Sequence, residues 1–153
     1  MITAKFNIDD LFRDIRENQM PLFIQAITEA LERTCMQVVT DAKQLDTYKD
    51  RTNNLRSSIG YVIYNNGEHV ADNFETAGVG SEGDGAHGLE VGRQVAEDTA
   101  AMFPSGIVAV VVAGESYALF VEARGYDVIT GPSQTLNERL QENLSIVREA
   151  AGQ

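Results

Sequence analysis

The sequence predicts an α+β fold: a mixed, mostly antiparallel sheet packed against a long N-terminal helix, a middle helix and a C-terminal helix. Three observations carry this. Apolar residues step by three and four from Phe23 through Ile27, Ala30, Leu31, Thr34, Cys35, Val38 and Ala42 to Leu45, the spacing of one helix face. Two strand-like runs flank Asn65-Asn66-Gly67, a sequence suited to a tight hairpin. Residues 107–113 are an uninterrupted apolar run rich in β-branched side chains, with glycine at either end, which reads as a strand covered on both faces.

Bulk properties set the frame. A chain of 153 residues is expected to form one domain, 1–153, with a core that needs neither disulfides nor metals. Its 43% hydrophobic and 23% charged content is that of an ordinary globular chain. A formal net charge of −11 argues against a surface that grips nucleic acid, which needs clustered Lys and Arg. The same charge argues against docking on an anionic membrane. The 107–113 run is too short to span one. Cys35 has no second cysteine to pair with and reads as a small core residue. The start of the chain lacks the apolar core of a signal peptide.

Taken in order, residues 1–20 form an N-terminal extension. Residues 1–7 are expected to fray, and 8–16 to form a short helix with Leu11, Phe12 and Ile15 on one face. A break at 18–20 precedes Pro21, which suits the first turn of the long helix over 21–45. Residues 45–54 are polar and turn-like, and 55–58 add a helical turn. Ile59 to Tyr64 is a strand, with Ile59, Tyr61 and Ile63 on one face and Gly60, Val62 and Tyr64 on the other. The returning strand covers 68–74. Residues 76–88 are so glycine-rich that a flexible loop is expected. A helix over 89–103 should turn Gly92, Val95, Ala96, Thr99 and Phe103 inward, with Pro104 ending it. Tyr117, Phe120, Val121 and Arg124 recur at one-turn spacing, Gly125 suits a left-handed C-terminal cap, and 126–129 is extended. The last helix covers 133–150, with Leu136, Leu140, Leu144 and Val147 as its buried stripe.

Sequence patterns that could carry chemistry lack their context. Gly78-Val79-Gly80-Ser81-Glu82-Gly83 matches a dinucleotide-binding pattern, but no hydrophobic strand leads into it, and Glu82 and Asp84 would repel a pyrophosphate. Gly114-Glu115-Ser116-Tyr117-Ala118 resembles a nucleophile elbow between strand and helix. Its base would have to be His69 or His87, and both precede Ser116 in the chain. Ser116 as the cap of the next helix is the plainer expectation. Asp9, Asp10 and Asp14, and Glu82, Asp84 and Glu90, lack calcium-loop spacing and read as solvated faces. No catalytic residue, cofactor or metal is expected. Tyr117, Phe120 and Tyr126 are expected in the core, and Glu122 and Arg124 on the surface.

One resemblance goes further. Tyr117, Ala118, Phe120, Val121, Glu122 and Gly125, following a buried strand, resemble the closing half of the minor tail-component family of long-tailed bacteriophages, whose members are neck, head–tail joining or tail-completion proteins. Thr52-Asn53-Asn54-Leu55-Arg56-Ser57-Ser58-Ile59 resembles a second element of that family, with Asn53 where glycine is usual. Asparagine tolerates positive φ, so the turn should survive.

The resemblance implies a structural virion protein, assembled in the bacterial host cytoplasm, that forms a homo-oligomeric ring around the DNA channel. Neighbouring head–tail junction and tail proteins would be its partners, and DNA would pass without specific binding. Leu55, Arg56, Glu122, Arg124 and Tyr126 are the candidate subunit or partner contacts. Two alternatives remain open at this point: a small serine hydrolase using Ser116, and a non-viral binding module on the same fold.

Overall fold

A computed structural model describes residues 8–151 of the chain. The expectation for residues 1–7 lies outside them. The fold is α+β, as expected. β1 (Ile59–Asn65) and β2 (Glu68–Asn73) form the hairpin, and β3 (Ile107–Ala113) pairs on the other side of β1, giving the order β2-β1-β3. Both pairings are antiparallel, so the described sheet contains no parallel pair. The hairpin turn places Asn66 at φ 50° and Gly67 at φ 80°, the two positive angles that a two-residue turn with the strands' twist requires.

Helices cover both faces of the sheet. α2 (Met20–Gln44) lies on the face of Ile59, Tyr61 and Ile63, where Cys35, Val39 and Ala42 join Leu55 and Val128 in one core. On the other face, Val62 meets Phe74 with Ala96 and Ala100 of α4 (Ala86–Ala101). The alternation of β1 thus divides the core as its sequence implies. The last helix, α7 (Leu136–Ala151), packs chiefly on α2 rather than on the sheet. Its contact includes Asn143, buried, whose Nδ2 donates to Thr34 Oγ1 at 3.0 Å. A short α6 (Thr130–Gln134) precedes it, so the single closing helix expected from sequence is two.

Three expectations are corrected. The apolar run of β3 is an edge strand with every residue half-buried; β1 is the strand covered on both faces. No break occurs at 18–20: α1 (Ile8–Asp14) runs through a π-helical turn, Ile15–Gln19, into α2. Asn18 and Gln19 donate side-chain hydrogen bonds to the Asp14 carboxylate across that turn, and Pro21 sits in the first turn of α2. The inward stripe of α4 is Gly88, Gly92, Ala96 and Ala100, while Val95 and Phe103 are exposed.

That small-residue stripe has a physical reason. A Cβ on Gly88 would overlap the Asn54 carbonyl, and one on Gly92 would overlap the Ser58 carbonyl. α4 therefore lies directly on the backbone of α3 (Asn54–Ser57) and the residue after it. The glycine-rich stretch before α4 follows the same logic. Gly80 and Gly83 abut the carbonyls of Arg51 and Thr52. Glu82 N donates to Arg51 O at 2.9 Å, Ala77 N to Ser57 Oγ at 3.0 Å, and Asn53 Nδ2 to the Gly78 carbonyl at 2.6 Å. Residues 76–88, read from composition as a flexible loop, are stitched to residues 51–57, and closeness of approach accounts for their glycines.

Candidate interaction site around α5

After β3 the chain turns at Gly114 and enters α5 (Ala118–Ala123). Ala118 is buried and Val121 packs against the core, which leaves the remaining face of this short helix to solvent. Leu119 is 79% exposed, Phe120 59%, Tyr126 49% and Tyr117 40%. Arg124 stacks on Phe120, its guanidinium carbon 4.7 Å from the ring centre. Isolated exposed apolar residues are unremarkable, but several large apolar residues grouped on one short element mark an interaction surface, and the Tyr and Arg among them are residue types enriched at interaction hot spots. Burial still acts on Tyr117: desolvation first, then the carboxylates of Glu115 and Asp50, push its phenol above the ordinary 10.0.

Glu122 fixes the frame that presents this face. Its Oε1 accepts hydrogen bonds from the backbone N–H groups of Val128, Ile129 and Thr130 at 3.0, 2.8 and 3.0 Å, and Oε2 accepts from the Thr130 hydroxyl at 2.7 Å. These are donors at the start of α6, which its own N-cap side chain leaves unsatisfied. Desolvation alone would raise the Glu122 pKa; the hydrogen bonds from Ile129, Thr130 and Val128 outweigh it and hold the carboxyl below its ordinary 4.5. Gly125, at φ 86°, ends α5 with a left-handed cap. Asp127 and Thr47 complete the corner, Asp127 Oδ1 accepting from Gly131 N and its carbonyl from Thr47 Oγ1. Tyr126 is thereby held at the rim of an open groove of about 650 Å³ shared with Tyr48, Lys49 and Val121.

The candidate contact residues separate into two groups. Arg124 and Tyr126 stand on the exposed face. Leu55 is 2% exposed and belongs to the core, so it offers no surface to a partner. Arg56 is half-buried and spent within the chain. Its Nη2 donates to Leu45 O at 2.7 Å, its backbone N donates to Asp50 Oδ2 at 2.8 Å, and its guanidinium lies over the Tyr48 ring. Glu122 is half-buried and satisfied by the α6 turn rather than poised for an ion pair. Conversely, Tyr117, Phe120 and Tyr126, expected in the core, are surface residues. Val121, beside the buried Ala118, is the large apolar residue of α5 that packs inward.

Other chemistry finds little support in the geometry. Ser116 is exposed and makes no cap bond; Tyr117 occupies the N-cap position of α5. His69 is engaged by Asp72 at 3.0 Å and by the edge of the Tyr64 ring. Burial, then the Glu32 charge, push the Cys35 thiol up to about 12, which leaves it an inert packing group. No His, Cys, Asp and Glu cluster suited to a metal occurs among the described residues. No described helix is long and apolar enough to cross a membrane. No family model, curated protein or solved structure matches this chain.

Proposed function

We propose that this chain is a structural subunit of a tailed phage or prophage, acting in head–tail joining or tail completion. Copies of it assemble head to tail into a ring around the DNA channel. The observation that carries the reading is the exposed face of Tyr117, Leu119, Phe120, Arg124 and Tyr126, held rigid from beneath by Glu122. A prebuilt surface of this composition lowers the ordering cost of association. The likeness of residues 52–59 and 117–125 to the tail-component family supplies the virion setting. The net charge of −11 supports passage of DNA without specific binding. Assembly rather than catalysis is then the mechanism, with one contact repeated until rotation closes the ring.

Native mass spectrometry of the purified chain, followed by electron microscopy of the assembled fraction, tests this. A single closed stoichiometry with a central channel is the expected result. Open chains of every length, or a complex that retains duplex DNA at physiological salt, would contradict it.

A further inference from the structure

The helical run from Ile8 carries a second apolar face, apart from that of α5. α1 packs chiefly on the π turn that continues it, and Ile8 and Phe12 stand 57% and 58% exposed. Met20 and Phe23, in the first turns of α2, are exposed as well. These residues belong to one stripe. A π turn holds one residue more than an α-helical turn. The five-residue step from Ile15 to Met20 crosses the turn Ile15–Gln19 and so returns to the same face, as steps of three and four do elsewhere in the run. Ile8, Phe12, Ile15, Met20, Phe23 and Ile27 therefore line up, and the π turn is what brings the α1 residues into phase with α2.

The spacing along this stripe is four, three, five, three and four residues, the same read from either end. Laid antiparallel on a copy of itself, about a two-fold axis through the π turns, it sets Ile8 against Ile27, Phe12 against Phe23 and Ile15 against Met20. A stripe with that symmetry matches its own copy, which is an isologous contact. The place for the incoming helix is already open. A groove of about 790 Å³ lies between Met20, Phe23 and Ile27 of α2 and Leu144, Val147 and Arg148 of α7. α1 is about 10 Å long, the same as the helical rise from Met20 to Ile27. Charge agrees with shape. Among the described residues lining the groove, Arg148 alone is charged, whereas the sequence of α1 holds three aspartates and one arginine. An acidic helix meeting a basic rim offsets the general repulsion between copies of net charge −11.

We propose that this stripe is a two-fold contact between copies of the chain, with α1 of each lying in the α2–α7 groove of the other. The contact uses none of the α5 face. Where the α5 contact closes a ring, this one pairs two rings; where the α5 contact is removed, it leaves a dimer.

Light scattering and oxidative cross-linking test it. Leu119→Ser with Phe120→Ser, which removes the α5 face, is expected to leave a dimer. Phe12→Asp added to that pair is expected to give a monomer, with association weakened at least about 100-fold. In the parent chain, Phe12→Asp alone is expected to halve the stoichiometry of the assembly. Phe12→Cys with Phe23→Cys, added to the Leu119→Ser and Phe120→Ser chain, is expected to give a disulfide-linked dimer. On one helical run the two positions are about 16 Å apart, too far to bridge within a chain, and Cys35 is buried. A Leu119→Ser and Phe120→Ser chain that stays monomeric to millimolar concentration, a dimer that persists with Phe12→Asp, or a dimer whose introduced thiols do not cross-link would each overturn the proposal. A parent assembly indifferent to Leu119→Ser with Phe120→Ser but reduced by Phe12→Asp would overturn the α5 contact and leave this one standing.

Discussion

The seam between residues 51–58 and α4 and the outer face of α5 use their residues in opposite ways. At the seam, backbone meets backbone: Gly80, Gly83, Gly88 and Gly92 are spaces into which carbonyls of the other segment fit. At α5, side chains stand in water above a corner fixed by one carboxylate. Each region contains one of the two sequence elements on which the resemblance rests. The first element is spent on the fold and the second is divided, with Ala118 and Val121 facing inward and Tyr117 and Phe120 outward, so likeness in sequence does not by itself tell which residues meet a partner.

Substitutions can separate these roles, and the largest effect belongs to the seam. Gly88→Ala in an exposed helix would stabilise by about 1 kcal/mol through helix propensity. Here the added methyl meets the Asn54 carbonyl, so destabilisation of about 3 kcal/mol or more is expected in chemical denaturation, an inversion of sign that marks close packing. Glu122→Gln comes next. It keeps the shape but loses charge-assisted acceptance of four hydrogen bonds, and should cost roughly 1–2 kcal/mol and loosen the corner below Tyr126. Gly125→Ala has free space around it and φ 86°, so only backbone strain of about 1 kcal/mol should appear. Leu119→Ser with Phe120→Ser should leave the melting temperature within the shift of about 0.5 kcal/mol, yet abolish ring assembly.

The smallest effect is in pH dependence. The carboxyl of Glu122 binds its proton less readily folded than unfolded, so its stabilisation is present above the ordinary 4.5. That contribution is lost as pH falls below 4.5 through the lowered folded value. Urea midpoints measured from pH 6 to pH 3 should therefore fall less steeply for Glu122→Gln than for the parent chain. Equal slopes would mean that Glu122 carries no such linkage.

Periodicity made much of the fold legible. The α2 stripe from Ala30 to Ala42, the two faces of β1 and the Asn66-Gly67 turn follow from local spacing and backbone preference. Asn53, at φ 61°, takes the positive angle expected where glycine is usual. What failed were judgements that need tertiary context. An apolar strand at a sheet edge has the same sequence as one at its centre, and β3 was misplaced for that reason. Glycines that admit a neighbouring carbonyl look the same as glycines that confer flexibility, which hid the packing of 76–88. Phe23 continues the α2 stripe but is exposed, because the helix begins before the sheet does. At α5, the recurrence of Tyr117 and Phe120 identified the helix but not its inward face; Ala118 was the buried residue, and small size was the available signal.

Hydrogen exchange of the full-length chain at low and high concentration tests the division of labour most directly. The account predicts that amides in 117–126 gain protection as concentration rises, while those of 54–58 and 88–96 stay at the level of global unfolding throughout. Protection at α5 that is indifferent to concentration, or a seam that exchanges as fast as an open loop, would contradict it.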